Sequence, residues 1–166
     1  MQEKIFHIYP ATEKDCKTLA DIITDAFRPV ARKFELTTEN CPKHPSNCTA
    51  GWIATDFKRG VKYFILETHG IPIGCVGLEV VENSVCYMER LAVRPLFQNK
   101  GAGKKLVDHI IQTACKMKLQ TVSIGIIAAD QQLKNWYANQ AFIPSSCKHF
   151  THLPFEVQFM FHQISS

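Results

Sequence analysis

Gln98-Asn99-Lys100-Gly101-Ala102-Gly103 lies between an apolar, strand-like run that ends at Val93 and a helix-like run that follows Lys104. A segment so placed sits where a helix begins and several backbone N–H groups lack an intrahelical partner. Together with the positive end of the helix dipole, those donors form an anion site that needs no side-chain charge. Gly101 and Gly103 let the backbone approach a ligand where a Cβ would obstruct it, and Lys100, Lys104 and Lys105 add positive charge. The ligand suited to this chemistry is a polyphosphate. The Walker pattern is excluded, because no Gly-Lys-Ser/Thr closes the turn, and two glycines do not make the three-glycine dinucleotide fingerprint. A tight structural turn with no ligand is the plain alternative.

Two further groupings could do chemistry. Glu89 is a carboxylate inside the otherwise apolar run Val85 to Val93, and such a group is costly to bury unless it is paired or functional. Strand alternation places Glu89 on one face with Tyr87, Leu91 and Val93, and Arg90 on the other. Cys41, His44 and Cys48 form a Cys-x-x-His-x-x-x-Cys pattern, which offers three ligands at a spacing compatible with zinc. A structural site needs a fourth, for which His7, His69, His149 and His152 are the candidates. The competing reading is a rigid, proline-braced loop.

The elements that must position these residues follow from periodicity. Lys4 to Tyr9 reads as a first strand, and Thr12 caps a helix whose stripe is Cys16, Leu19, Ala20, Ile23, Ala26 and Phe27. Glu35 to Thr49 is a loop, followed by a short helix carrying Trp52, Ile53 and Phe57. Strands at Tyr63–Thr68 and Ile73–Val81 form a meander with Val85–Val93, which reads as a central strand. Leu106, Val107, Ile110, Ile111 and Ala114 make the buried stripe of the next helix. Thr121 to Ile127 is a buried strand, Asp130 to Gln140 a short helix, and the alternation of Phe155, Val157, Phe159 and Phe161 a last strand.

Composition bounds the answer. A chain of 166 residues is about one domain by length and can bury its own core. A net charge of +4 suits an anionic ligand without demanding nucleic acid, and no basic cluster interleaves with aromatics. No apolar run reaches a membrane span, and the first residues lack the apolar core of a secretory signal. Seven scattered cysteines, an odd count, read as reduced thiols of a cytoplasmic protein rather than a disulfide framework.

Gln98-x-x-Gly101-x-Gly103, after Leu91-Ala92-Val93-Arg94-Pro95, resembles the acyl-CoA pyrophosphate loop of the GNAT superfamily of N-acetyltransferases. Leu133-Lys-Asn-Trp136-Tyr137-Ala-Asn-Gln-Ala141-Phe142 is similar to that superfamily's Asn-x-x-Ala-x-x-Leu-Tyr-x-x-x-Gly-Phe helix, with Asp130, Leu133, Trp136 and Ala141 as departures. Ala141 stands where the family has glycine, a residue that takes φ > 0 at helix ends.

The resemblance implies a single α/β domain over residues 1–166, with a mixed sheet of about six to seven strands splayed in the middle and about four helices. It implies acetyl-CoA as cosubstrate and a small-molecule or peptide amine as acceptor, in a monomer or homodimer. Leu91, Ala92 and Val93 would face the thioester through a backbone N–H freed by a bulge. Gln98, Asn99, Lys100, Gly101, Ala102, Gly103 and Lys104 would hold the pyrophosphate, and Tyr137 would assist the departing thiolate. Amide formation also needs a base for the ammonium. Glu89 is the candidate, Tyr87 the weaker one, and a buried ion pair the other reading of Glu89. The rival functions are a non-catalytic acyl-CoA sensor and a metal- or redox-regulated protein built on the Cys41–Cys48 loop.

Overall fold

The structure is a computed structural model that describes residues 5–165. The strands are β1 (Phe6–Pro10), β2 (Lys62–Thr68), β3 (Ile71–Glu82), β4 (Val85–Val93), β5 (Thr121–Ile127), β6 (Ile143–His149) and β7 (Glu156–Gln163). The helices are α1 (Cys16–Lys33), α2 (Ala50–Lys58), α3 (Ala102–Lys116) and α4 (Gln131–Ala138). All seven strands form one sheet in the order β1-β2-β3-β4-β5-β7-β6, antiparallel except where β4 meets β5. This is the mixed, helix-flanked sheet expected from the sequence. Lys4, the expected start of the first strand, lies outside the described residues.

Alternation divides the core between the two faces of the sheet. Phe64, Leu66, Val76, Leu78 and Met88 pack with Leu106, Val107 and Ile110 of α3 and Tyr137 of α4. On the opposite face Tyr63, Ile65, Cys75 and Ala92 pack with Leu19, Ile22 and Ile23 of α1 and Ile53 of α2. A smaller cluster joins Ala31, Leu36 and Cys41 to Ile127 at the end of β5. The chain after α1 is thereby fastened to the far side of the central strands.

β6 has no counterpart in the sequence reading. Every residue of Ile143–His149 is exposed, so the segment carries no alternation of apolar and polar side chains. Its pairing with β7 defines it as a strand.

Ala141 sits just beyond α4 with φ +65. Its Cβ opposes the left-handed conformation by ~1–2 kcal/mol, of which the greater unfolded-state freedom of glycine would return ~0.5–1 kcal/mol. Ala141→Gly is therefore expected to raise the unfolding midpoint by about 2 °C. A thermal melt showing a lower midpoint would contradict this account of the turn.

Candidate active site

The glycine loop is built as a braced turn. After β4, Arg94 N–H donates to the Ile73 carbonyl at 2.8 Å, and Gln98 Nε2 donates back to the Val93 carbonyl at 2.9 Å. The chain then turns through two left-handed residues, Asn99 (φ +60) and Gly101 (φ +89). Gly101 is the N-cap of α3 and supplies no side-chain cap. Since Lys105 N–H is the group that reaches the Gly101 carbonyl, at 3.1 Å, the N–H groups of Ala102, Gly103 and Lys104 precede the helical ladder. These N–H groups have no intrahelical acceptor. The lysines contribute less directly: Lys104 pairs with Asp108 at 2.8 Å, and Lys100 donates to the Leu96 carbonyl at 3.2 Å.

The two glycines differ in role. A Cβ on Gly101 would meet nothing within 4 Å, so its requirement is the positive φ. A Cβ on Gly103 would lie 3.1 Å from the Trp136 ring of α4. Gly103 therefore admits a helix neighbour, a correction to the expectation that its missing side chain makes room for a ligand. Trp136 in turn packs edge-on against Tyr137.

β4 and β5 share only three rungs, Val85↔Thr121, Cys86↔Val122 and Tyr87↔Ser123. Beyond Tyr87 the facing edges of the two strands have no ladder partner, and a wedge opens between them. On its other edge β4 carries a bulge. From Cys75↔Ala92 to Gly77↔Glu89 the ladder advances two residues on β3 and three on β4. The extra residue falls at Arg90 and Leu91, and Arg90 has φ +50, a rare conformation for a residue with a side chain.

The bulge overturns the expected alternation. Glu89 opposes Gly77, whose missing side chain faces Tyr63 on the α2 side of the sheet. Arg90 also reaches that side, bonding Asp56 of α2 and Tyr63. Leu91 and Val93 pack on the α3 side, with Ala92 on the α1 side. Glu89 thus shares a face with Tyr87, Arg90 and Ala92, because one inserted residue reverses every side chain after it.

Glu89 stands in a crowded electrostatic setting. Arg59, at the end of α2, bonds Asp56 at 2.6 Å and Glu79 at 2.9 Å, and reaches Glu89 only at 3.9 Å. Burial is the main cause that pushes the Glu89 carboxyl up, to about 8, and neighbouring Glu79 adds to it, against the weaker pull of Arg59. Arg90, although it reaches the same side of the sheet, pairs with Asp56 rather than with Glu89.

Tyr137 is buried against Trp136 and Phe142. Burial alone raises the pKa of its phenol, with no charged or hydrogen-bonding neighbour contributing. The hydroxyl is left protonated and available as a donor. On the α1 face, a recess of about 520 Å³ is lined by Phe34, Leu36, Ile127, Ala129 and Phe155.

Cys41, His44 and Cys48 are not gathered into a ligand set. Cys41 joins the cluster with Ala31 and Leu36, Cys48 joins the one with Leu19 and Ile53, and His44 bonds Ser46 Oγ at 2.8 Å while its ring meets Phe27. Among the described residues no group of three or more potential ligands, with His7, His69, His149 and His152 included, is arranged to hold a metal ion. Burial raises the Cys48 thiol to about 11 and lowers the pKa of His44.

Asp56, Tyr63 and Arg59 were not singled out from sequence, and Arg90 was placed on the other face of β4. The available signal was Asp56 itself, three residues after Ile53 and so on the buried face of α2.

A mixed sheet opened between its two parallel strands, with an uncapped glycine turn at the mouth of the opening, defines an acyl-CoA-dependent acetyltransferase. The profile of the acetyltransferase (GNAT) family matches residues 18–142, and the chain belongs to that family. Solved structures share the fold. The ribosomal-protein-S18-alanine N-acetyltransferase of Escherichia coli superposes with a TM-score of 0.78 at 17% identity, over 98% of this chain and 96% of that one. The paia N-acetyltransferase of Thermoplasma acidophilum, in complex with coenzyme A, gives 0.80 at 12% identity over 96% and 99%. The yncA protein of Salmonella typhimurium, with its cofactor acetyl-CoA, gives 0.70 at 18% identity over 97% and 95%. No helix among the described residues is long and apolar enough to cross a membrane.

Proposed function

We propose that the chain transfers the acetyl group of acetyl-CoA to a primary amine by direct attack in a ternary complex. The observation that carries this reading is the wedge between β4 and β5, with the glycine turn at its mouth and Glu89 on the α2 side. The pyrophosphate would rest on the N–H groups of Ala102, Gly103 and Lys104, with Gln98, Asn99 and Lys100 shaping the turn.

Glu89 takes a proton from the ammonium, directly or through water, and its raised pKa suits a base working near neutrality. The amine nitrogen then bonds to the acetyl carbon. Backbone N–H groups in the Leu91–Val93 stretch stabilise the oxyanion that develops; as it collapses the C–S bond breaks, the Tyr137 hydroxyl protonates or hydrogen-bonds the departing sulfur, and the second proton shed by the acylated nitrogen restores the phenol or leaves through solvent. The amine would approach from the α1 face, beside the apolar recess of Phe34, Leu36 and Phe155.

The test is free-thiol release from acetyl-CoA with a panel of primary amines, run on wild type and Tyr137→Phe. Wild type should turn over at least one amine. Tyr137→Phe keeps the ring that packs on Phe142 and should lose ~100-fold in turnover, with acetyl-CoA affinity and melting temperature little changed. Tight acetyl-CoA binding without thiol release for any amine would instead establish a sensor.

A further inference from the structure

The reaction proposed above depends on a backbone shape, and that shape is unfavourable by itself. Arg90, the inserted residue of β4, holds φ +50. A left-handed non-glycine residue persists only where its surroundings fix it. The surroundings here are specific. Arg90 Nη1 donates to Asp56 Oδ2 and, at 3.1 Å, to Tyr63 Oη. Tyr63 Oη donates to the same Asp56 Oδ2 at 2.6 Å, and Arg59 Nη2 donates to Asp56 Oδ1 at 2.6 Å. Asp56 is 4% exposed and Tyr63 1%. The Arg90 guanidinium also lies over the Trp52 ring of α2, 5.8 Å from its centroid.

We propose that Asp56 and Tyr63 are positioning residues, which tether the Arg90 side chain to α2 and so hold the β4 bulge that turns the Leu91–Val93 backbone into the wedge. The inference rests on the acetyl-transfer reading, since that reading gives the Leu91–Val93 backbone its task. No acceptor or acetyl-CoA contact is assigned to Asp56, Tyr63 or Arg90. Their effect passes through the conformation of one residue. An ion-pair network that served folding alone would leave kcat indifferent to which φ the inserted residue prefers.

That distinction sets the experiment. Arg90→Gly removes the tether and also removes the need for it, because glycine enters φ > 0 freely. Arg90→Ala removes the tether and keeps the Cβ that resists the left-handed region. Turnover, KM for both substrates, CoA affinity by calorimetry and melting temperature are measured for each. Arg90→Ala is expected to lower kcat by ~30-fold or more, as when an oxyanion donor is displaced, with CoA affinity within about twofold because CoA carries no thioester carbonyl. Arg90→Gly should lose at most about a third as many decades of kcat, although both variants melt earlier than wild type. Asp56→Asn should lower kcat in the wild-type background and add little in Arg90→Gly, where nothing remains to tether.

Equal losses in Arg90→Gly and Arg90→Ala would overturn the proposal and assign the work to the guanidinium itself. Wild-type kcat in Arg90→Ala would overturn it from the other side, leaving a stability network. Should wild type prove inactive with every amine, the acetyl-transfer reading fails first. The tether is then read from the Cα chemical shifts of residues 90–92 in the ligand-free proteins. Shifts that stay native in Arg90→Gly and change in Arg90→Ala sustain it, and unchanged shifts in both overturn it.

Discussion

Gly101→Val is expected to weaken acetyl-CoA binding roughly tenfold to a hundredfold while leaving the fold intact. The position holds φ +89 with open space around it, so the substitution meets no steric neighbour and acts through backbone conformation alone. A β-branched residue is a genuine outlier there. The turn relaxes, and the N–H groups of Ala102, Gly103 and Lys104 leave their common aim. Gly103→Val is a poorer probe, because its Cβ would press on Trp136 and disturb the α3–α4 contact. Lys104→Ala should matter little. Its ammonium is exposed and already paired with Asp108, and salt screens what remains. Calorimetry on Gly101→Val and Lys104→Ala checks the ranking. Equal affinity in Gly101→Val and wild type would remove the backbone N–H groups as the anchor.

Glu89→Gln is expected to lower turnover by ~10²–10⁴ and to flatten the acidic limb of the pH–rate profile. In wild type that limb should rise towards pH 8, since burial and Glu79 hold the carboxyl at about 8. Stability supplies the second readout, and its sign is opposite to that of an ordinary ion pair. A carboxyl whose folded pKa lies above its unfolded value is protonated in the fold while already ionised in the unfolded chain. Between those two values the unfolded state binds fewer protons, so wild-type stability falls as pH rises through the window from about 4.3 to about 8. Glutamine cannot ionise and should escape that loss. The variant is therefore expected to be less active but, at pH 8, no less stable than wild type. A less stable variant with an unaltered pH profile would make Glu89 half of an ion pair with Arg59 and transfer the search for a base to Tyr87.

Much of this site was legible in the sequence because local chemistry dictates it. A glycine between a strand and an apolar helix stripe marks Gly101, and the stripe Leu106, Val107, Ile110 and Ala114 is buried as its spacing requires. Ala141 announced its left-handed turn by replacing a family glycine. What escaped was the effect of the bulge on the faces of the residues after it, and the contacts between residues far apart in sequence. Alternation assigned Leu91 and Val93 to the face of Glu89, and the bulge at Arg90 reversed them, although no residue in Met88-Glu89-Arg90-Leu91 advertises a bulge as Gly or Asn would. Asp56 read as an ordinary polar residue of a short helix, and two of its three partners lie 7 and 34 positions away. β6 was invisible for the simplest reason, since a strand exposed on both faces has no hydrophobic period.

The parting of β4 from β5 also changes the count of strand edges. A continuous seven-stranded sheet would have two, at β1 and β6, and this one has four, because each parallel strand becomes an edge once the rungs end at Tyr87 and Ser123. Edges invite other chains to pair with them. The outer edge at β6 is guarded by Pro144, by a register shift between Pro144 and Cys147, and by Lys148. The inner pair is held by the three rungs at its base, so its facing edges diverge from a fixed point. A slender extended molecule carrying its own amides could fit that wedge, whereas a polypeptide strand would have to prise the sheet apart. The same opening that is proposed to present backbone to the thioester offers a strand no long edge on which to pair.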